Sequence, residues 1–453
     1  MTNDTLRPRA LAVLLLSVVL CASATAAEPG ELADQVAALL KRVDTLEADV
    51  KRLTSQNEAL VAQQERQDQR IESAETAPPS QFENLSIWGY GETYYARPDN
   101  GSSETTADLA RAVFGLGYRF DERTRFDSEF EVEHAVASAD DEGEVEVEQF
   151  YVDHNLTDRV GVEAGLFLMP VGLLNEHHEP TAFYGVKRNF VETLIVPSTW
   201  REGGIGIHGD TAGGIVWNAG VTTGLDFSGW EFTLDEPPYK TALELVSTDV
   251  APMQAGHQEL QLADAQHLAQ YAMLAYRGLP GLEVGAFAFT GNAAVPDAPA
   301  NAHGQRVTLL EGHVRWTPGD ADLSALYARG TISDTGAYNL ANVGASNLMP
   351  ASFDGYYVQG AYTVWRHNAY RLVPFARWES YDMASSYHGV PDGFSPIPTG
   401  PTATGEPWPR PNDRVWTFGA NFYVTSNVVV KADYQWFDNN DFDTIDLGLG
   451  VTF

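Results

Sequence analysis

Charged side chains recur at every second position in several short apolar stretches, and that spacing is where this chain could do chemistry. In residues 124–136, Arg125, Asp127, Glu129, Glu131 and Glu133 share one parity, with Phe126, Phe130 and Val132 on the other. Glu311, His313 and Arg315 repeat the pattern in 306–317, Arg371, Arg377 and Glu379 in 370–382, and Lys431, Asp433 and Gln435 in 428–438. Successive side chains of a β-strand point to opposite faces, so each set lines one face of a strand and leaves an apolar face behind it. Carboxylates and guanidiniums facing one another across water make no bonds. They set up a transverse field that orients a polar solute, or they simply keep lipid off that face.

A second group lies between two such stretches. Glu176-His177-His178-Glu179 offers imidazole and carboxylate, donors that suit zinc. Adjacent histidines on a loop are also satisfied by hydrogen bonds or water, and no metal is assigned. Lys187, Arg188 and Arg201 follow in the same excursion and are better placed to meet a passing anion or carboxylate.

Enzyme chemistry finds little support. Ser, His and Asp occur without a nucleophile elbow or a recognisable motif order, and no cofactor motif is present. The only cysteine, Cys21, falls in a segment that reads as a leader, so thiolate metal sites and a cysteine nucleophile are set aside. A formal net charge of −34 argues against a nucleic-acid partner, which would need a basic footprint. That charge fits solubility and acidic loops able to recruit divalent cations beside lipopolysaccharide, or a lumen that favours cations.

The elements that must carry these residues are strands. Sixteen amphipathic segments are expected at about 85–96, 108–120, 124–136, 144–156, 160–169, 203–210, 214–224, 265–278, 282–291, 306–317, 320–331, 352–366, 370–382, 413–424, 428–438 and 442–453, with fourteen or eighteen as the alternative counts. Connections after even-numbered strands are short and turn-like, whereas those after odd-numbered strands are mostly long, above all 170–202, 225–264 and 383–412. After the leader no run of 18 apolar residues occurs, so a chain that spans lipid must do so as a closed all-β membrane barrel of antiparallel strands. Sixteen strands enclose an aqueous channel rather than a packed interior, and sorted loop lengths are what an outer-membrane barrel shows. Trp88, Tyr90, Tyr94, Trp316, Tyr362, Trp378, Trp416, Phe418, Phe422, Tyr434 and Trp436 are expected to form the aromatic belt on the lipid face. In 144–156, Glu146 and Glu148 share parity with Phe150 and Val152, a conflict that calls for a β-bulge.

Both ends of the chain are informative. Arg7 and Arg9 precede an apolar run from Ala10 to Leu20 and then small residues, so residues 1–27 read as a signal peptide; Leu20 before Cys21 disfavours a lipoprotein. Leu32, Val36, Leu39, Val43, Leu46, Val50, Leu53, Asn57, Leu60, Gln64, Gln67 and Ile71 follow a heptad register, so 28–76 reads as a periplasmic coiled coil that oligomerises, to trimer or dimer. Residues 77–84 form a Pro-containing linker, and 85–453 the barrel. In the last strand Ile445, Leu447, Leu449, Val451 and Phe453 alternate with Asp446, Gly448, Gly450 and Thr452. A terminal aromatic there resembles the assembly signal of bacterial outer-membrane barrels.

Gly165-Leu166-Phe167-Leu168-Met169-Pro170-Val171-Gly172, followed by Asn175 to Tyr184, is similar to the G-x-F-x-x-P-x-G strand and loop of the phosphate-selective porin O and P family. The resemblance extends from about Phe82 to Phe453 and includes Val373-Pro374-Phe375-Ala376-Arg377-Trp378-Glu379. It implies a homotrimer with one pore per subunit and a third loop, Pro170 to Glu202, bent inward as the constriction. Lys187, Arg188, Arg201, Glu129, Glu131, Glu311, Arg315, Arg377, Glu379 and Lys431 are the expected pore residues, and Phe453 the assembly residue. The implied role is passive diffusion of small hydrophilic solutes or ions across the outer membrane, in contact with its lipid and lipopolysaccharide. The wall is acid-rich, so phosphate specificity does not follow, and anion or carboxylate selectivity rests on the loop cations. The competing readings are a plugged barrel that tethers the envelope and a surface adhesin.

Overall fold

The computed structural model describes residues 37–54, except 39 and 52, and residues 83–453, except 100–103, 138–142, 228–250, 294–303, 344–347 and 397–407. The expected signal peptide, residues 77–82 of the linker and most of the heptads lie outside the described residues. The chain divides into two units, Met1–Glu83 and Asn84–Phe453. In the first, residues 40–51 are helical. Val43, Leu46, Val50 and Leu53 form an apolar stripe that is exposed among the described residues, Val43 least so at 44%.

The second unit is a closed antiparallel barrel. Its strands are β1 (Leu85–Pro98), β2 (Thr106–Arg119), β3 (Thr124–Glu133), β4 (Val145–Thr157), β5 (Val160–Leu168), β6 (Arg201–Asp210), β7 (Ile215–Thr222) and β8 (Ala269–Leu279). They continue as β9 (Leu282–Asn292), β10 (Arg306–Trp316), β11 (Ala321–Ile332), β12 (Ser352–Tyr362, resumed as Trp365–His367), β13 (Tyr370–Ser386), β14 (Asn412–Tyr423), β15 (Val428–Phe437) and β16 (Thr444–Thr452). Both pieces of β12 pair with β13, which makes them one strand and the count sixteen. Each strand pairs with its sequence neighbours, and β16 returns to β1 with Tyr90 opposite Thr452. Closure leaves no sheet edge, which is the condition for strands to cross lipid. No helix among the described residues is long and apolar enough to do so.

Phe453 seals the seam. Its backbone exchanges hydrogen bonds with Gly89, at 2.8 Å and 3.1 Å. Its ring lies over Gly89, where a Cβ would overlap it.

The outer face is apolar by strand parity, with Phe114, Ile205, Leu274, Leu310, Val358, Trp436 and Leu447 all exposed on it. Trp378, Trp416 and Phe418 pack there ring to ring, and so do Trp365, Tyr370 and Phe422 nearer the short-turn end. The first strand departs from expectation. Trp88, Tyr90 and Tyr94 face inward, while Ile87 and Tyr95 face out. The reason is that their side of the lumen is filled with protein rather than water: Trp88 Nε1 donates to Glu129 at 2.7 Å, and Tyr90 meets the third loop.

The bulge in β4 is present. Glu129 pairs with Gln149 and Phe130 with Val147, so Glu148 is the extra residue. That insertion turns Glu146 and Glu148 inward while Phe150 and Val152 still face out. A matching irregularity in β2 leaves Ala110 between the pairs Glu92–Arg111 and Thr93–Leu109.

The lumen has its own apolar core. Inward residues of β8 to β13, among them Phe287, Phe289, Val307, Leu309, Leu326 and Phe353, are buried against Met169, Val171, Phe190, Val191, Leu194, Ile195 and Trp200 of the connection between β5 and β6. Fully burying such side chains is worth roughly 1.5–3 kcal/mol each. That gain holds the third loop inside the barrel rather than above it.

Candidate functional site

The motif glycines explain how the loop enters the lumen. Gly165 (φ 137°) lies so close to the β4 backbone that a Cβ would overlap the Phe150 carbonyl. Gly172 (φ 68°) makes a left-handed turn in which Glu192 occupies the place of a side chain. Glu192 is the hub of the loop. Its carboxylate accepts from Leu173 N at 2.6 Å, Leu174 N at 2.9 Å, Asn189 Nδ2 at 2.8 Å and the Tyr357 hydroxyl at 2.9 Å. Asn175 clamps the two ends together, donating to the carbonyls of Met169 and Trp200 and accepting from Trp200 N.

From there the loop crosses to the opposite wall. The carbonyl of Tyr184 receives Arg377, Val186 N donates to Asp433 at 2.6 Å, and Phe190 N donates to Glu379 at 2.6 Å. Arg377 and Glu379 also pair with each other at 2.8 Å. Glu311 is buried, bonds His313 Nδ1 at 2.9 Å and receives the backbone N–H of Gly172. Arg315 is spent on Asp322, at 2.7 Å and 3.1 Å. These four expected pore residues face the lumen, and their bonds go to the loop, along their own strand or to a neighbouring strand.

A cavity of about 520 Å³ lies on the other side of the loop, against β1 to β4, β15 and β16. Its wall on β2 to β4 is acidic, with Asp108, Glu131, Glu133, Glu144 and Glu146. Facing it are Lys187 and Arg188 of the loop and Lys431 of β15. Glu92 and Arg111 pair between them at 2.8 Å, and Arg111 also donates to the His178 carbonyl at 2.6 Å.

The cations differ in what already holds them. Arg201 is neutralised by Glu146 and by Glu259, the latter at 3.0 Å. Lys187 stands 4.0 Å from Asp446 and 5.0 Å from the Tyr94 ring. Arg188 bonds only the hydroxyls of Ser198 and Thr199, with no carboxylate within 4 Å among the described residues. Enclosure and the nearby Arg111 guanidinium lower its pKa to about 10. Lys431 is 2% exposed and lies 3.5 Å from the Phe183 ring centre; its ammonium makes no hydrogen bond among the described residues.

Glu129 is sealed behind the cavity by Trp88 and Gln149. The tetrad Glu176 to Glu179 does not converge, since Glu176 and His177 are exposed while His178 turns to the wall. There His178 Nε2 lies 2.6 Å from the Tyr90 hydroxyl.

Glu192, Arg111 and Glu92 were not singled out from sequence, Asn175 entered only as the start of the loop motif, and Glu146 and Glu148 only through the parity conflict in β4. Arg111 had a signal, because a lone guanidinium in the apolar run Leu109 to Phe114 must face the lumen. Glu192 had none, since its partners, Leu173 with Leu174, Asn189 and Tyr357, come from three separate stretches of the chain.

A closed sixteen-stranded barrel narrowed by an inward loop is the architecture of an outer-membrane porin. Residues 87–445 match the family model for phosphate-selective porin O and P. The chain belongs to that family, and its place is the bacterial outer membrane. An uncharacterized protein of Aquifex aeolicus (strain VF5) is 32% identical over 367 residues, covering 79% of this chain and 76% of that one. The barrel superposes on an OmpF of Salmonella typhi solved with daunomycin, with a TM-score of 0.53 at 14% identity, over 82% of this chain and 98% of that one. An anion-selective porin from Comamonas acidovorans gives a TM-score of 0.49 at 11% identity, again covering 82% of this chain and 99% of that one.

Proposed function

We propose that this porin is a trimer in which each barrel passes small hydrophilic solutes and favours those carrying an anionic group such as carboxylate or phosphate. The observation that carries the reading is the state of the cations on the loop side of the cavity. Arg188 and Lys431 lack carboxylate partners at bonding distance, and Lys187 is only loosely opposed. Charges in an enclosed passage act more strongly than the same charges in bulk water, and these three carry no carboxylate of their own at bonding distance among the described residues, so their field reaches a solute passing between them and the acidic wall. Arg201, by contrast, is assigned to holding the β4 wall and Glu259 together.

Trimerisation is supported by the Val43, Leu46, Val50 and Leu53 stripe, which is exposed among the described residues and would be covered by neighbouring copies of the helix. The acidic sequence of the long loops suits contact with lipopolysaccharide through bridging divalent cations.

The test is the reversal potential of the reconstituted protein in asymmetric potassium chloride. Wild type should favour chloride, and Arg188→Gln combined with Lys431→Gln should move the potential toward the cation side, more at low salt than at high. Equal reversal potentials in wild type and variant would overturn the assignment. Absence of any conductance would overturn the channel reading in favour of a tether.

A further inference from the structure

The acidic wall has a local arrangement that the diffusion pathway does not need. Glu131 of β3 and Glu146 and Glu148 of β4 each bring a carboxylate oxygen to within 4.8 Å of the others. Glu148 is there because the bulge inserts it. It is wholly buried and Glu131 is 3% exposed, yet Oε1 of each receives no N–H or O–H donor among the described residues, and at those atoms the two carboxyls have only each other within reach. The second oxygen of Glu148 takes the Tyr90 hydroxyl at 3.1 Å. Nearby cations are committed elsewhere. Arg111 sits on Glu92 and reaches Glu131 only at 4.0 Å, and Arg201 is shared by Glu146 and Glu259. His178 Nε2 is 3.9 Å from Glu148, and its ring is held between the Tyr90 hydroxyl and the Asn175 carbonyl.

Two carboxylates buried side by side, with one oxygen of each receiving no donor from any other described residue, are costly unless a shared proton or a cation stands between them. We infer that Glu131, Glu146 and Glu148 bind a hard divalent cation, with calcium as the best fit. The donors are all oxygen, and calcium accepts irregular sets of six to eight oxygens at about 2.3–2.6 Å. Glu131 and Glu146 line the cavity, so water can complete the shell and the ion has a path in.

The ion sits on the wall that faces Lys187, Arg188 and Lys431. Binding removes negative charge from one side of the passage and leaves the other side positive, so calcium raises anion preference. This consequence rests on the anion reading above; the site itself rests only on the wall.

The experiment uses the full chain refolded in lipopolysaccharide-free detergent and stripped with a chelator. Terbium chloride is the probe, because Tyr90 and Trp88 are close enough to sensitise its emission. The expected result is saturable emission displaced by calcium, with affinity lowered at least tenfold in Glu131→Gln and in Glu148→Gln, and unchanged in Glu176→Gln. Heat-modifiable migration reports folding, and if Glu148→Gln fails to fold, Glu131→Gln decides alone. No saturable emission from wild type, or equal affinity in folded Glu131→Gln, overturns the site. In bilayers, calcium should shift the reversal potential toward anions in wild type and not in Glu131→Gln. A wild-type channel that prefers anions but ignores calcium overturns the site and leaves the anion reading standing. Calcium binding with no effect of the Arg188 and Lys431 substitutions supports the site and overturns the anion reading.

Discussion

Arg188 is a cation placed among cations, and its behaviour with pH follows. Its pKa is lowered to about 10 by enclosure and by Arg111, so it is charged at neutral pH and loses its proton earlier than a free guanidinium. The contribution to anion preference is therefore complete below about pH 9 and declines as pH rises through about 10. Reversal potentials taken from pH 7 to pH 11 should show that decline in wild type. Arg188→Gln should start with weaker anion preference and lack this component of the decline. An identical pH profile in the two proteins would remove Arg188 from the passage. Parity and residue type made Lys431, Glu131, Arg377 and Glu379 legible as lumen residues. Their division of labour was not legible, because whether a guanidinium faces solute or anchors a loop depends on which carboxylate folds beside it. Glu148 was half legible: a parity conflict in one strand revealed the bulge, but not the cluster it builds with β3.

The third loop behaves as an element in its own right. Its inward course was expected from the resemblance of Gly165 to Gly172 and the loop after it to the family's strand and third loop. What fixes it was not readable, because Glu192 draws donors from Leu173, Leu174, Asn189 and Tyr357. Glu192→Ala orphans buried donors, each at a cost of about 1–3 kcal/mol. The barrel's own ladder is untouched, so the expected outcome is a normally assembled channel with higher single-channel conductance and added current noise. Conductance and noise equal to wild type would show that apolar packing alone positions the loop. Gly172→Ala should act in the same direction, since it adds a Cβ where Glu192 now sits at a positive φ.

At the scale of the molecule, loop lengths sorted by strand parity announced the barrel and its count, and the alternating β16 announced its closure. The apolar filling of the lumen was harder to see. Segments such as Phe287 to Phe289 and Val307 to Leu310 are apolar on both faces, and Trp88, Tyr90 and Tyr94 were assigned to lipid because the interior was taken as water. A lumen partly filled with protein makes inward aromatics ordinary. The same reasoning bears on how the two units contribute to assembly. The barrel closes on itself through β1 and β16 and carries its own core, so its folding does not need the heptads. The helix has an apolar stripe, Val43, Leu46, Val50 and Leu53, that is exposed among the described residues. Deleting residues 28–76 while retaining residues 1–27 should therefore leave a heat-modifiable, membrane-inserted barrel. It should also lower the temperature at which the oligomer dissociates into monomers on semi-native gels. An oligomer with an unchanged dissociation profile would place the whole of the subunit contact on the barrel walls.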